Sequence, residues 1–151
     1  MNLIERIKKL LEPQLEDFNF RVNSDKWKEI TIKGEKYLKN KKEDIWESKS
    51  TGEQLFTWEA AMRETKKAGK RIPTDKEFSF LLKTKEDMKN LIFAGYRGTN
   101  GSFGRTANAY FWSSSQRGAN AWLRHLNSSY ATVLRYTNSK AYGFSVRCFK
   151  N

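Results

Sequence analysis

The first part of the chain carries apolar residues at helical spacing. They recur three and four positions apart, at Leu3, Ile4, Ile7, Leu10, Leu11 and Leu15. This pattern predicts an amphipathic N-terminal helix, which Pro13 is expected to end or kink. We interpret the stripe as packing on the chain's own domain, because helices usually bury such a stripe internally. An oligomer contact or a helix lying on a membrane surface is the alternative.

A second helical pattern fills the stretch "TWEAAMRETKKAGKRIPTDKEFSFLL". Thr57 is placed to cap a helix over residues 58–68, and Gly69 is placed to end it. Thr74 and Glu77 form a capping box for a further helix. The positions expected to face inward on these two helices are Ala61, Met62, Ala68, Phe78, Leu81 and Leu82.

The remaining segments favour short strands. "WKEITIKGEKYL" alternates weakly around Gly34, "KNKKED" is a charged loop, and "STGEQLFTW" carries a turn signal at Gly52. Beyond Leu91, strand-like runs separated by Gly, Asn and Ser cover residues 110–114, 121–126, 130–136 and 142–149. Helices followed by strands predict an α+β fold in a single domain over residues 1–151. Residues 1–50 hold the N-terminal helix and strands and are less clearly patterned than the rest.

Charge is distributed unevenly along the chain. The net charge is +12, and residues 88–151 contain nine Lys and Arg residues but no Asp or Glu. A cationic half favours an anionic partner, although surface charge that serves solubility explains the pattern equally well. There is no apolar run of about 18 residues, so no membrane span is expected. The N-terminus lacks the apolar stretch of a signal peptide, which predicts the cytoplasm or a virus particle as the location.

Few residues in the C-terminal half are suited to catalysis. Acid–base chemistry needs paired titratable groups, and this half offers His125, Cys148, tyrosines and bases. Cys148 is the single cysteine, which excludes an internal disulfide and a thiol-rich zinc site. It alternates with Phe144 and Val146, which predicts a buried strand residue. Calcium sites rely on carboxylates, and residues 88–151 supply none. We therefore expect no metal and no other cofactor.

Four blocks of the sequence resemble one protein family. "TWEAAMRETKKAGKRIPTDKEF" is similar to a stretch of the formylglycine-generating-enzyme-like (sulfatase-modifying-factor) domains. "GYRGTNGSF", "YFWSSS" with "NSS", and "AYGFSVRC" resemble, in the same order, the C-terminal half of a branch that includes the variable proteins of diversity-generating retroelements. The resemblance covers residues 55–149 and implies a C-type-lectin-like fold, with two helices, short antiparallel strands and long irregular loops. Residues 1–50 match nothing in that family.

The resemblance also implies which activities the chain lacks. The enzyme of this family oxidises a substrate cysteine with a pair of cysteines and copper, whereas this chain has Cys148 alone. Cys148 matches the terminal structural motif of the family and not the catalytic pair, so we expect no enzymatic activity. Scaffold positions of the family match Trp112, Ser113, Ser114, Asn127, Ser128, Ser129, Gly143, Phe144, Val146, Arg147 and Cys148.

The stretch "AYFWSSSQRGANAWLRHLNSSYATVLRY" has the composition of a binding surface. Tyr and Trp supply large contact areas at low rotamer cost, and small polar residues adapt their hydrogen bonds. In the strand-like runs, Trp122 and Arg124 share one face and His125 lies on the other, so neither face is cleanly apolar. The resemblance places a variable region at residues 105–140. Its candidate ligand-binding residues are Tyr110, Gln116, Arg117, Asn120, Trp122, Arg124, His125, Tyr130, Thr132, Leu134, Arg135 and Tyr136.

The sequence therefore predicts a non-catalytic protein that binds its ligand through a diversifiable surface rich in Tyr, Trp and Arg. The expected ligand is a protein or a cell-surface molecule, whose identity one sequence does not reveal. Two alternatives stay open. The first is a basic domain that binds nucleic acid by stacking bases on aromatic rings and meeting phosphates with Arg. The second is a degenerate enzyme of the formylglycine-generating type.

Overall fold

The computed structural model describes residues 2–11, 15–20, 26–88, 91–104 and 106–149. Its helices are α1 (Leu3–Leu11), α2 (Trp58–Lys67) and α3 (Asp75–Leu81), and a 3-10 turn covers Lys85–Asp87. The strands are β1 (Leu15–Asp17), β2 (Trp27–Ile32), β3 (Glu35–Asn40), β4 (Ile45–Ser48), β5 (Gln54–Phe56), β6 (Tyr96–Arg97), β7 (Phe103–Gly104), β8 (Asn108–Arg117), β9 (Asn120–Asn127), β10 (Val133–Ser139) and β11 (Arg147–Phe149).

The strands form antiparallel sheets. β2, β3, β4 and β5 make a four-stranded meander, and β10, β9 and β8 make a three-stranded sheet in that order. Two further pairs join β1 to β11 and β6 to β7. The predicted α+β class with antiparallel strands is confirmed.

The helix boundaries follow the capping signals in the sequence. The Thr57 side chain accepts a hydrogen bond from the Ala60 backbone N–H, and Thr74 and Glu77 form the predicted capping box of α3. Gly69 adopts a φ of 70° just after α2, a conformation that favours glycine. Phe78, Leu81 and Leu82 are buried as predicted.

One expectation about helix packing is wrong, and another holds only in part. Ala68 is exposed, because α2 ends at Lys67 and Ala68 already belongs to the turn that leaves the helix. On α1, Leu3 is 71% and Ile4 is 45% exposed, so the apolar stripe is not buried along its whole length. α1 lies against α3. Pro13 lies outside the described residues.

The predicted strands around Gly34 form a tight hairpin. Lys33 and Gly34 both have positive φ values, 50° and 81°, between Ile32 of β2 and its partner Glu35 of β3. Two consecutive positive φ values give a turn whose twist matches that of the flanking strands. Glycine at the second position lets the chain turn there without steric strain.

The segment from Gly143 to Ser145 joins the separate sheets at the centre of the molecule. Phe144 exchanges backbone hydrogen bonds with Phe56, and Gly143 does so with Arg97. Two buried indoles reinforce the junction. Trp112 Nε1 donates to the Phe56 carbonyl at 2.8 Å, and Trp58 Nε1 donates to the Ser113 carbonyl at 2.9 Å. The two halves of the chain therefore share one hydrogen-bonded core.

A buried ion pair crosses the same junction. The Arg147 guanidinium is about 1% exposed, and its Nη1 and Nη2 donate to the two Glu53 carboxylate oxygens at 2.8 and 3.1 Å. Its Nε lies 2.8 Å from an Asp17 carboxylate oxygen. The guanidinium also lies over the Phe111 ring, 4.8 Å from the centroid. Arg147 thus connects β11 to β1, to the start of β5 and to β8.

Glu53→Gln is expected to destabilise the protein by about 3 kcal/mol, since it removes the buried carboxylate that accepts from two nitrogens of the Arg147 guanidinium and leaves only the partly exposed Asp17 as a charged partner. Urea unfolding followed by tryptophan fluorescence measures this change. Glu59→Gln, at an exposed position of α2, is the control and is expected to change stability by less than about 0.5 kcal/mol. Equal effects of the two substitutions would contradict a structural role for the pair.

Candidate functional site

The predicted binding residues converge on one sheet. All of them except Tyr130 and Thr132 lie on β8, β9 and β10, and those two lie in the connection between β9 and β10. Antiparallel pairing sets His125 beside Tyr110 on one side and beside Leu134 on the other. It likewise sets Arg124 beside Arg135.

Strand alternation divides these residues between two faces of the sheet. Trp122, Arg124 and Arg135 lie on the face that packs against α3, which we call the helix face. Tyr110, His125 and Tyr136 lie on the opposite face, which we call the tyrosine face. The two faces carry different side-chain chemistry.

Asp75 organises the helix face. One of its carboxylate oxygens accepts a hydrogen bond from Arg124 Nη1 at 2.6 Å, and its backbone carbonyl accepts from Arg124 Nη2 at 2.8 Å. Arg135 donates from Nε and Nη2 to the same carboxylate at 2.7–3.1 Å. One carboxylate at the start of α3 therefore holds an arginine from each of β9 and β10. Arg124 is 2% exposed, so its charge depends on this partner.

The charge of Asp75 responds to this setting. Burial alone would raise its pKa, but the hydrogen bonds from Arg135 and Arg124 outweigh burial and hold the pKa below its ordinary value. Asp75 is thus ionised at neutral pH and retains its charge well into the acid range.

On the helix face, two guanidinium groups lie near the ring of Trp122. The Arg135 guanidinium carbon lies 3.8 Å from a Trp122 ring centroid, and that of Arg117 lies 6.0 Å away. In cation–π contacts of this kind, the aromatic ring attracts a positive charge placed above its face. Because Asp75 also binds Arg135, the contact with Arg135 restricts the orientation of the Trp122 indole. The half-buried indole is consequently presented in a restricted geometry.

The "SSS" run forms a bulge opposite Trp122. The register between β8 and β9 shifts between Trp112 and Gln116. Ser113 Oγ donates to the Trp122 carbonyl at 2.8 Å, and Ser115 Oγ accepts from the Asp75 backbone N–H at 2.9 Å. The serine hydroxyls thereby bond backbone groups across the irregular part of the strand and join it to α3.

The tyrosine face contains a cavity of about 260 Å³, which we call the tyrosine pocket. It is lined by Tyr96, Tyr110, His125, Tyr136, Asn138, Tyr142 and Phe144. The Tyr110 ring stacks on His125 with centroids 4.2 Å apart and on Phe144 with centroids 5.2 Å apart. This volume is below the roughly 300–1,000 Å³ of pockets that hold drug-sized ligands, so the pocket suits a small group.

Hydrogen bonds fix the imidazole in the wall of this pocket. His125 Nε2 lies 2.6 Å from Asn108 Oδ1, which also accepts from Asn127 Nδ2, so Nε2 is the donor. In a neutral ring Nδ1 is then an acceptor, and the Tyr136 hydroxyl, 3.0 Å away, donates to it. His125 is therefore oriented by its neighbours on both sides.

Exposure separates the predicted residues into two groups. Tyr130 is 67% and Leu134 is 48% exposed. The other exposed members are Gln116, Arg117, Thr132 and Arg135, and the half-buried ones are Asn120, Trp122 and Tyr136. Tyr110, Arg124 and His125 are at most 8% exposed, which differs from the expectation of a displayed side chain. They support the sheet, and Tyr110 and His125 are accessible through the tyrosine pocket.

Sequence reasoning missed Asp75, Tyr96, Asn138 and Tyr142. Asp75 looked like an ordinary acidic residue in the first turn of a helix, and its arginine partners follow 49 and 60 residues later. Tyr96 and Tyr142 lie outside the predicted variable region, residues 105–140. No local signal in the sequence reports these long-range contacts.

The single cysteine is placed as predicted. Cys148 lies on β11 and is fully buried, and burial raises the pKa of its thiol to about 11. A buried thiol of this kind is protonated and inert at neutral pH. Within the described residues, no group of three or more His, Cys, Asp or Glu side chains is arranged to hold a metal ion.

Comparison of this chain with protein-family models, with curated proteins and with solved structures gives no match. None of the helices in the described part of the chain is long and apolar enough to cross a membrane.

Asp75→Asn is expected to lower the free energy of unfolding by about 3 kcal/mol, because it leaves the buried Arg124 guanidinium without a carboxylate. Chemical denaturation measures the loss. The double variant Asp75→Asn, Arg124→Met is the control and is expected to recover part of it, since an apolar side chain needs no partner. A double variant less stable than Asp75→Asn would argue against an ion pair as the cause.

The stability that Asp75 contributes is expected to decrease on acidification. Its folded pKa is lowered, so the contribution is complete above the unfolded value of about 3.9 and is lost as pH falls through the folded value. The difference in melting temperature between the native chain and Asp75→Asn should be constant near neutral pH and shrink below about pH 4. A difference that grows on acidification would refute this assignment.

Replacement of Trp112 on β8 and of Trp122 on β9 is expected to lower stability by different amounts. Trp112 is fully buried, so Trp112→Ala should cost about 3–5 kcal/mol, whereas Trp122→Ala should cost about 1 kcal/mol or less. Thermal and urea unfolding of the two variants provide the comparison. Similar losses would place Trp122 in the core.

Proposed function

We propose that this chain is a non-catalytic ligand-binding protein with a C-type-lectin-like fold, which displays a diversifiable surface rich in Tyr, Trp and Arg. The surface consists of the exposed and half-buried positions on β8, β9 and β10 and in the connection between β9 and β10. The observation that carries the proposal is the convergence of these side chains on one sheet supported by Asp75 and the serine bulge.

The resemblance of four sequence blocks to the formylglycine-generating-enzyme-like family, whose branches include the retroelement variable proteins, supports the fold assignment. Those blocks fall on α2 and α3, on β6 and β7, on β8, and on the segment from 141 to 148. The α+β architecture with short antiparallel strands agrees with that resemblance.

The chemistry of the exposed positions supports binding. Trp122, Tyr130 and Tyr136 offer large, rigid contact areas, and Arg117 and Gln116 offer adaptable hydrogen bonds. Tyr, Trp and Arg are also the residue types that most often dominate binding energy. Because hydrogen bonds already hold the backbone beneath them, little entropy is lost when a ligand orders this surface.

The alternatives receive less support. A formylglycine-generating activity needs a reactive pair of cysteines, and the single Cys148 is buried with a raised pKa. Nucleic-acid binding needs arginines that are available to phosphates. Arg124 and Arg135 are engaged by Asp75, and Arg147 is engaged by Glu53.

Sequencing of this gene in sibling genomes tests the proposal. Substitutions should concentrate between residues 105 and 140, at exposed positions such as Gln116, Arg117, Tyr130 and Leu134. The buried Tyr110 and Arg124 should change rarely, because substitutions there destabilise the sheet. A near-copy of the segment and a reverse transcriptase gene are expected nearby.

The segment over α2 and α3, residues 58–81, is the internal control for that comparison. Its substitution rate should be low and even. A segment 105–140 that varies no more than this control, with no such neighbouring genes, would refute a diversified surface and favour a fixed ligand.

A further inference from the structure

The strand β10 lies at the edge of its sheet. The sheet has the order β10, β9, β8, so β9 pairs with one side of β10 along its seven residues. On the other side, a single bridge joins Thr84 to Thr132 just before the strand begins. Backbone N–H and C=O groups on an uncovered strand edge can pair with another extended chain.

The alternation of hydrogen-bonded and non-bonded pairs identifies which residues of β10 direct their backbone groups away from β9. The Lys140 N–H donates to the Ala119 carbonyl at 3.1 Å, in register with the pairing of Ser139 and Asn120. Because bonded and non-bonded pairs alternate in antiparallel sheets, Asn138, Tyr136 and Leu134 direct their backbone groups toward β9. Val133, Arg135, Thr137 and Ser139 therefore direct theirs outward. The Lys85 N–H donates to the Ala131 carbonyl on this outer side, which agrees with the same alternation.

In the part of the chain that the structure describes, the outer side is open along the middle of β10. At its far end, the Ser139 N–H donates to Asn138 Oδ1 and the Ser139 carbonyl accepts from the Tyr142 N–H. Across residues 26–88, 91–104 and 106–149, no backbone or side-chain group bonds the N–H or C=O of Arg135 or Thr137 on that side. β10 itself contains neither proline nor lysine, the residues that commonly protect exposed edges.

Charge indicates what kind of strand would fit. Lys83 and Lys85 flank Thr84, which bridges to Thr132 just before β10, and Lys140 follows the strand. Among the described side chains, the nearby carboxylates are already engaged, since Asp75 binds Arg124 and Arg135 and Asp87 accepts from the backbone of Lys83 and Thr84. With nine basic residues and no acid in residues 88–151, a second copy of this chain would be repelled, whereas an acidic segment would be attracted.

We propose that the open edge of β10 binds an extended, acidic peptide segment of a partner protein, which adds to the sheet as a further strand. This inference rests on the proposed function and gives its surface a class of ligand. In strand addition, backbone hydrogen bonds supply affinity and alternate side chains supply specificity. The backbone contribution is unaffected when Leu134 or Tyr136 varies. Sequence diversity can therefore change specificity while a common part of the affinity persists.

Linear peptides selected from a random phage-displayed library against the whole chain are the probe. The selected peptides should be rich in Asp and Glu and should bind Thr137→Pro at least about tenfold more weakly, because proline removes an outward donor and blocks the edge. Proline is tolerated at edge positions whose N–H faces solvent, so this variant should fold. Thr137→Val keeps the donor and is the matched control, with affinity within about twofold of the native chain.

Amide hydrogen exchange on the native chain tests the same geometry without a variant. The Arg135 and Thr137 amides should exchange fast in the free protein and become protected when a selected peptide binds. The Tyr136 and Asn138 amides should be protected in both states, because they bond β9.

Several outcomes would overturn the proposal. Peptide binding that is unchanged in Thr137→Pro but lost in Trp122→Ala would refute strand addition and leave the proposed binding surface intact. Selection of neutral or basic peptides, or of none, would refute the acidic segment as occupant. A concentration-dependent dimer that Thr137→Pro abolishes, measured by analytical ultracentrifugation, would show that a second copy occupies the edge instead. Failure of the proposed function itself is read separately, from the sibling sequences.

Discussion

The ion pair between Arg147 and Glu53 determines how the two halves of the chain meet. Arg147 is almost fully desolvated, and its five donors are rigidly arranged, so they require carboxylates in fixed positions. Glu53 lies just before β5, and Asp17 on β1 approaches the guanidinium from another element. The aromatic ring of Phe111 closes the remaining side. Together with the hydrogen bonds that Trp112 and Trp58 donate across the junction, this buried charge constrains the position of β8 relative to the meander.

The need of buried arginines for carboxylate partners accounts for part of the uneven charge of the chain. Residues 88–151 contain no carboxylate, so each arginine there that needs one must obtain it from residues 1–87. Asp75 serves Arg124 and Arg135, and Glu53 and Asp17 serve Arg147. Part of the charge asymmetry thus reflects docking of one half on the other within the molecule. An excess of positive charge that points only to an external anion is too simple an interpretation.

Local signals in the sequence were sufficient for the helices and for the approximate positions of several strands. The Thr57 cap, the Thr74–Glu77 capping box and Gly69 act within a few residues, so their effects can be predicted from the printed sequence. The burial of Cys148 followed from simple strand alternation. In these cases the physical cause and the pattern lie in the same short segment.

The faces of the binding sheet could not be predicted in the same way. Alternation placed Trp122 and Arg124 together correctly, but an arginine on a strand ordinarily indicates solvent. Arg124 is buried because Asp75, 49 residues earlier, neutralises it. The tyrosine pocket also depends on distant segments, since Tyr96 and Tyr142 come from opposite ends of the C-terminal half. Long-range partners that no local pattern encodes decide which side chains are displayed.

A surface that tolerates substitution must be held by groups that do not vary with it. In this sheet the irregular part of β8 is bonded through the hydroxyls of Ser113 and Ser115, and Asn108 orients His125. None of these three belongs to the candidate variable positions. Among the candidates, Tyr110, Arg124 and His125 do bear structural contacts, so substitution there affects folding as well as binding. Most of the exposed positions carry fewer such contacts, although Arg135 binds Asp75 and Gln116 accepts from Lys140. For that reason the diversity that this fold can accept is concentrated on its outer residues.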